Sequence, residues 1–178
     1  GMHRLLDHVR PLGAVRMAIV HPCDALSLTA VMDAHAEGLI VPCLVAPYAK
    51  LMRVAADAGL DLSGIEIEDV PHSCAAATRA VELVTQGRAE ALMKGSLHTD
   101  ELMAAVVRDE AGLRTKRRIS HCFLMQSPAY PRPFIVTDAA INIVPTLDQK
   151  ADIVRNAIDL AHAIGVERPR VAILAAVE

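Results

Sequence analysis

Apolar runs of strand length recur along the chain at 15–20, 39–46, 65–70, 89–93, 119–125, 134–137 and 171–177. Most are near-continuous in Val, Ile, Leu, Ala and Met rather than alternating with polar residues, as expected of parallel strands covered on both faces. Between them lie segments with apolar residues at helical spacing. Five of these close on a glycine, at Gly38, Gly59, Gly87, Gly112 and Gly165, the residue best suited to the left-handed position after a helix. Pro145 followed by Thr146-Leu-Asp-Gln149 predicts a helix with reciprocal capping, running to about Ile164. Strands alternating with helices of roughly 12 to 18 residues imply right-handed crossovers. The fold class is therefore α/β: an open, mainly parallel doubly wound sheet with helices on both faces.

One stretch departs from the alternation. Arg114-Thr-Lys-Arg-Arg118 carries four cations in five residues, and Ser127-Pro-Ala-Tyr-Pro-Arg-Pro133 cannot be helical. A hinge near residue 118 is expected, with 1–118 as a first α/β domain and 119–178 as the beginning of a second, incomplete one. The run at 171–177 reads as a core strand with no helix after it, so the chain is expected to be cut short. No repeat or low-complexity tract is visible.

Composition narrows the partners. The chain has 178 residues, 53% of them hydrophobic, yet no apolar run approaches the roughly 20 residues of a membrane-spanning helix. A soluble protein is expected. Gly1 before Met2 reads as the remnant of tag removal, and no signal-peptide layout follows it. Four cysteines without a C-x-x-C pair indicate neither a disulfide framework nor a zinc site, which fits a reducing cytoplasm. A net charge of -3, two Phe, two Tyr and no Trp argue against nucleic acid as a partner.

Candidate chemistry falls in three places. Ala91-Leu-Met-Lys-Gly-Ser takes a buried strand into Lys94, Gly95 and Ser96, with Thr99 opening a helix. Ligands of open α/β sheets bind outside the carboxyl ends of strands, where glycine lets backbone approach them. Two readings stay open: an anion seat, or an ordinary turn with Thr99 as cap. Asp100 and Glu101 in the first helical turn favour the helix dipole and oppose a highly charged phosphate on that axis. The order Lys-Gly-Ser is not a Walker sequence.

The second place is the basic run, where Arg117 and Arg118 could grip phosphate in bidentate geometry or simply be solvated. The third is Thr137-Asp138-Ala-Ala-Ile-Asn142, where Asp138 and Asn142 could meet a ligand or satisfy loop backbone. Eight histidines show no metal-ligand spacing, and His98 and His121 are expected at the surface or in caps. Cys122 reads as core filler, and no Gly-x-Ser-x-Gly elbow occurs.

These stretches resemble the phosphate acetyl/butyryltransferase family. The similar residues are 91–102 (ALMKGSLHTDEL), 117–123 (RRISHCF), 135–143 (IVTDAAINI) and 150–160 (KADIVRNAIDL), and the resemblance runs from about residue 15 to 178. It is closest to the acyltransferase part that some bacteria carry fused behind a MaoC-like enoyl-CoA hydratase, so fusion to or association with a hydratase is expected in the parent protein.

The resemblance implies reversible acyl transfer from coenzyme A to inorganic phosphate, with coenzyme A as substrate and no permanently bound cofactor or metal. It also implies two α/β domains of isocitrate/isopropylmalate dehydrogenase-like architecture, a site in the cleft between them, and usually a homodimer. On that reading Lys94, Gly95, Ser96, Thr99, Arg117, Arg118, Ser120, Asp138 and Asn142 bind substrate. The catalytic residues are expected in a C-terminal part absent here, so the 178 residues alone are expected to be nearly inactive. Where acetyl-specific members often have cysteine after the aspartate, this chain has Ala139. Two alternatives remain: a non-catalytic remnant or assembly module, and a related acyl-ACP:phosphate acyltransferase. The dehydrogenases themselves are disfavoured because no nicotinamide-binding segment can be pointed to.

Overall fold

The computed structural model describes residues 2–174. They form two compact units, one of Val9–Arg114 and one of residues 115–174 with residues 2–8. The order begins with α1 (Met2–Val9), which the apolar pattern did not predict, and continues β1 (Val15–Val20), α2 (Ala25–Ala36), β2 (Ile40–Ala46), α3 (Tyr48–Asp57), β3 (Glu66–Asp69), α4 (Ser73–Thr85), β4 (Ala91–Lys94) and α5 (Thr99–Val106). After α5 come β5 (Phe123–Ser127), β6 (Tyr130–Val136) and α6 (Leu147–Ala163).

In the first unit four strands pair in parallel in the order β3-β2-β1-β4. The two-residue period of a strand divides its side chains between two cores. Ile19 and Leu44 join Leu28 and Val31 of α2 and Leu51 and Ala55 of α3 on one face. Ala18, Val20, Cys43 and Val45 join Ala76, Ala80 and Leu83 of α4 and Leu102 and Ala105 of α5 on the other. The expected doubly wound layering is thus present. Ile19, Leu28, Leu44 and Leu51 have no exposed surface, and each buried side chain of this kind stabilises by about 1.5–3 kcal/mol. Alanines on α4 let that helix lie close to the sheet.

Two details hold the ends of this sheet. Gly38 and Gly87 adopt φ of +71° and +73° just past α2 and α4, the left-handed closure expected of them. The open edge of β3 is charged: Glu68 pairs with Arg79 at 3.0 Å and with Arg88 at 2.7 Å, and Glu66 pairs with Arg88. Such edges resist pairing with another chain.

The second unit departs from the expected alternation. β5 and β6 form an antiparallel hairpin, not a parallel pair. β5 begins four residues later than the apolar run at 119–125 suggested, because backbone groups of residues 118–121 bond to the side chains of Asp152, Asn156, Asn142 and Asp138 rather than to a ladder. β6 begins at Tyr130 instead of Phe134 and includes Pro131 and Pro133, which is tolerated in a strand with a free edge. α6 starts as expected, Thr146 Oγ1 accepting from Gln149 N–H at 3.4 Å and Gln149 Oε1 from Thr146 N–H at 3.0 Å. The run at 171–177 was expected to be a strand. Residues 171–174 are irregular, and the remainder lies outside the described residues.

Candidate functional site

The strand order reverses at β1, since the chain proceeds outward to β2 and β3 and then returns to place β4 on the other side. Ligands of doubly wound sheets bind at such a reversal, beyond the carboxyl ends of the two strands. Residues 94–96 lie there at the end of β4, and residues 21–24 lie there at the end of β1. The second loop was not singled out in the sequence. Its signal was present in the His21-Pro22 pair that ends a continuous apolar strand.

The two loops are stitched together. Gly95 N–H donates to Val20 O and Ser96 N–H to His21 O, both at 2.9 Å. Ser96 Oγ donates to His21 O at 2.9 Å and accepts from Cys23 N–H at 3.0 Å. The buried His21 ring meets Ser96 O through Nδ1 at 2.9 Å. His21 has φ +54°, a conformation costing a non-glycine residue about 1–2 kcal/mol. Gly95 is required by space: a Cβ there would lie 2.6 Å from the carbonyl oxygens of both Val20 and His21.

The turn therefore does structural work through Gly95 and Ser96, and Ser96 is not a free hydroxyl awaiting a ligand. Lys94 is exposed and its Nζ reaches no further than the neighbouring Gly95 O, at 3.4 Å. Thr99 was expected as the helix cap, but the cap position belongs to His98, and Thr99 is the exposed first residue of α5. Glu101 supports this start by accepting from His98 N–H at 3.3 Å, Ser73 Oγ at 2.9 Å and Cys74 Sγ at 3.0 Å. The Cys74 and Ser73 bonds hold its carboxyl below the ordinary range.

In the second unit, three of the predicted residues, Arg118, Asp138 and Asn142, come together. Asp138 Oδ1 accepts from His121 N–H at 2.8 Å and Asp138 Oδ2 from Asn142 N–H at 2.7 Å. The Asn142 side-chain amide also donates to Asp138, and to Ile119 O at 3.0 Å. With its amide thus fixed, Asn142 Oδ1 accepts from Arg118 Nε at 2.6 Å. Burial by itself raises the Asp138 carboxyl, but the bonds from His121 and Asn142 outweigh it and hold Asp138 below its ordinary value.

Ser120 sits beside this knot, its Oγ accepting from Asn156 Nδ2 at 2.8 Å. Arg117 does not join it; its guanidinium pairs with Asp159 and reaches Asn156 Oδ1 at 3.4 Å. Arg118, by contrast, forms no ion pair among the described residues. His121 was expected at the surface or as a cap, yet its Nδ1 is buried without a partner among the described residues. Cys122 lies outside the strand, only partly buried, with its thiol 3.4 Å from Thr137 Oγ1.

Arg118 and Asn142 open onto a cleft of about 230 Å³ lined also by Ile141, Ile143, Val144, Pro145 and Gln149. A guanidinium held by Asn142 beside this open cleft can hold an anionic or carbonyl oxygen, with the isoleucines as apolar surface next to it. Among the described residues no group of three or more His, Cys, Asp or Glu could hold a metal ion, and no helix is long and apolar enough to cross a membrane.

Residues 71–178 match the family described as phosphate acetyl/butaryl transferase. A phosphate acetyltransferase of Rhizobium meliloti is 55% identical over 175 residues, which are 98% of this chain and 55% of that protein. A phosphate butyryltransferase of Clostridium acetobutylicum is 37% identical over 163 residues, 92% of this chain and 54% of the relative. Among solved structures, a branched-chain phosphotransacylase from Enterococcus faecalis V583 superposes with a TM-score of 0.70 at 26% identity, covering 87% of this chain and 54% of its own. A phosphotransacetylase from Streptococcus pyogenes shares the fold with a TM-score of 0.76 at 17% identity, covering 92% of this chain and 59% of its own. The chain spans about half the length of the curated relatives it matches.

Proposed function

Because this chain belongs to the phosphate acetyl/butaryl transferase family, we propose that it forms part of an enzyme moving an acyl group between coenzyme A and inorganic phosphate. A phosphate oxygen attacks the thioester carbonyl, the carbon–sulfur bond breaks, and the sulfur leaves as thiolate and takes up a proton. The products are an acyl phosphate and the free thiol of coenzyme A. Such a reaction requires little covalent participation by protein. It needs the reactants held in register and stabilisation of the charge that develops on oxygen.

One observation carries the reading: Arg118 Nε donates to Asn142, itself fixed by Asp138, and both residues line a cleft together with Ile141, Ile143 and Val144. In this role Arg118 holds a phosphate or carbonyl oxygen and the isoleucines receive the acyl chain. Asp138 does not act on substrate; it positions Asn142. Lys94, exposed at the strand reversal of the first unit, offers that unit a cation of its own for an anion. Gly95 and Ser96 support it by fixing the turn.

The test joins residues 1–178 to the portion of the Rhizobium meliloti relative that lies outside the match and follows phosphate-dependent thiol release from acetyl-CoA and butyryl-CoA. The fusion should release thiol with at least one of them, and the 178 residues alone should be nearly inactive. Arg118→Ala in the fusion should lower turnover by roughly 100-fold or more, the usual effect of deleting one charge-stabilising donor. A folded fusion that releases no thiol with either substrate would remove the proposal.

A further inference from the structure

Three polar side chains of α6, Asp152, Asn156 and Asp159, recur at intervals of four and three residues. That spacing puts them on one face of the helix. All three engage the segment 117–120, which is neither helix nor strand. Arg118 N–H donates to Asp152 Oδ2 at 2.9 Å, Asn156 Nδ2 donates to Arg118 O at 2.9 Å and to Ser120 Oγ at 2.8 Å, and the Arg117 guanidinium pairs with Asp159.

Asn156 is the hub of this grip. A side-chain amide offers two N–H donors and one acceptor oxygen. Both donors are engaged, by Arg118 O and Ser120 Oγ, while Oδ1 receives Arg117 Nη1 at 3.4 Å. A carboxylate of the same shape could make neither donation, and it would meet the Arg118 carbonyl as one acceptor against another.

Arg118 needs such an anchor. Its guanidinium has one bond among the described residues, from Nε to Asn142 Oδ1 at 2.6 Å. The rotamer freedom of an arginine opposes any single geometry, so one side-chain bond holds the group in place only where the backbone beneath it is fixed. Asp152 shares the work: the Arg118 N–H is the chief reason its carboxyl lies below the ordinary range.

We infer that Asn156 is a positioning residue of the candidate site: by holding Arg118 O and Ser120 Oγ from α6, it sets the backbone from which the Arg118 guanidinium reaches Asn142 and the cleft. The inference rests on the proposed role of Arg118 in binding an oxygen of the reactants. Asn156 itself touches no reactant and acts through Arg118.

Two variants test this. Asn156→Asp keeps the shape and removes the donors, and Asn156→Ala removes the amide while favouring the helix. In the 178-residue chain, NMR should show slow exchange of the Arg118 Nε–H with solvent. Either variant should speed that exchange about tenfold, the loss expected of one hydrogen bond. Lys150→Ala, an exposed change on the same helix, should leave it unaltered. In the fusion to the unmatched portion of the Rhizobium meliloti relative, Asn156→Ala should lower turnover roughly 10- to 100-fold, as misplacement of a binding group does. It should add no further loss once Arg118 is alanine, whereas an asparagine that merely stabilises the fold would cost the same factor in both backgrounds. Equal losses in the two backgrounds overturn the inference. So does an Arg118 Nε–H that exchanges fast in the native chain, or at the native rate in the folded variants. A fusion that releases no thiol removes the proposed function, and the exchange rates then decide the positioning by themselves.

Discussion

Replacing Gly95 with alanine tests whether space, rather than backbone conformation, dictates that residue. The new Cβ would lie 2.6 Å from Val20 O and 2.6 Å from His21 O, with His21 C at 2.7 Å. Ordinary contact needs about 3.5 Å, so the ends of β1 and β4 would have to part by roughly 0.9 Å. The two bonds from Gly95 N–H and Ser96 N–H, now 2.9 Å, would then exceed hydrogen-bonding range. Two lost bonds cost about 1 kcal/mol each, and overpacking adds about 1–3 kcal/mol. The sum is on the order of 3–5 kcal/mol, and for a unit of about 100 residues this lowers the melting temperature by roughly 12–20 °C.

The control is Gly87→Ala. There φ is +73° and nothing lies within 4 Å of the added Cβ, so only the conformational cost of about 1 kcal/mol applies. Far-UV ellipticity during heating and urea unfolding of both variants provide the comparison. A Gly95→Ala protein melting within about 5 °C of the native chain, or no lower than Gly87→Ala, would refute the steric reasoning.

Two further outcomes concern protonation. Asp138 is held below its ordinary value of 3.8, so its contribution is fully present above about pH 4 and is lost as pH falls through the lower folded value. Protection of the His121 and Asn142 amides, followed by NMR, should persist at pH 5 and fade in that acid window, with Asp138→Asn removing the pH dependence; identical profiles would discard this account. Cys74 is raised chiefly by its hydrogen bond to Glu101, so Glu101→Gln should bring the thiol back toward 9.0 and speed its alkylation at pH 8 several-fold. In the same experiment Cys43, pushed up to about 11 by burial first and then by Glu66 and Glu68, should stay unreactive until the chain unfolds. Early modification of Cys43 would contradict its placement in the core.

Much of the first unit can be read from residues alone, because its signals are local. The run at 15–20 is bounded by breaks on both sides, and β1 occupies those residues. Gly38 and Gly87 mark helix ends without reference to anything distant. The hairpin is less legible, since Pro131 and Pro133 argue for a loop wherever a strand must donate on both edges, and only the tertiary pairing shows that one edge is free.

The candidate site divides in the same way. That residues 94–96 end a strand is visible in sequence, but Gly95 faces carbonyls of residues 20 and 21, and no local rule exposes that contact. Arg117 and Arg118 are neighbours with the same charge, yet Asp159 takes the first and Asn142 aims the second. His98 displaced Thr99 as cap because Glu101 reaches the His98 N–H, a competition between adjacent residues that propensity does not resolve.

The stitching of Ser96 to His21 and Cys23 bridges separations of 75 and 73 residues. Closing so long a loop has an entropic cost that short-range contacts do not share. During synthesis, three strands can pair and three helices can pack before the fourth strand emerges to complete that rim. The closed rim between residues 21–23 and 96 is therefore a late acquisition of the folding chain, and a ribosome-stalled intermediate ending before residue 96 would hold a sheet without the bonds that seal it.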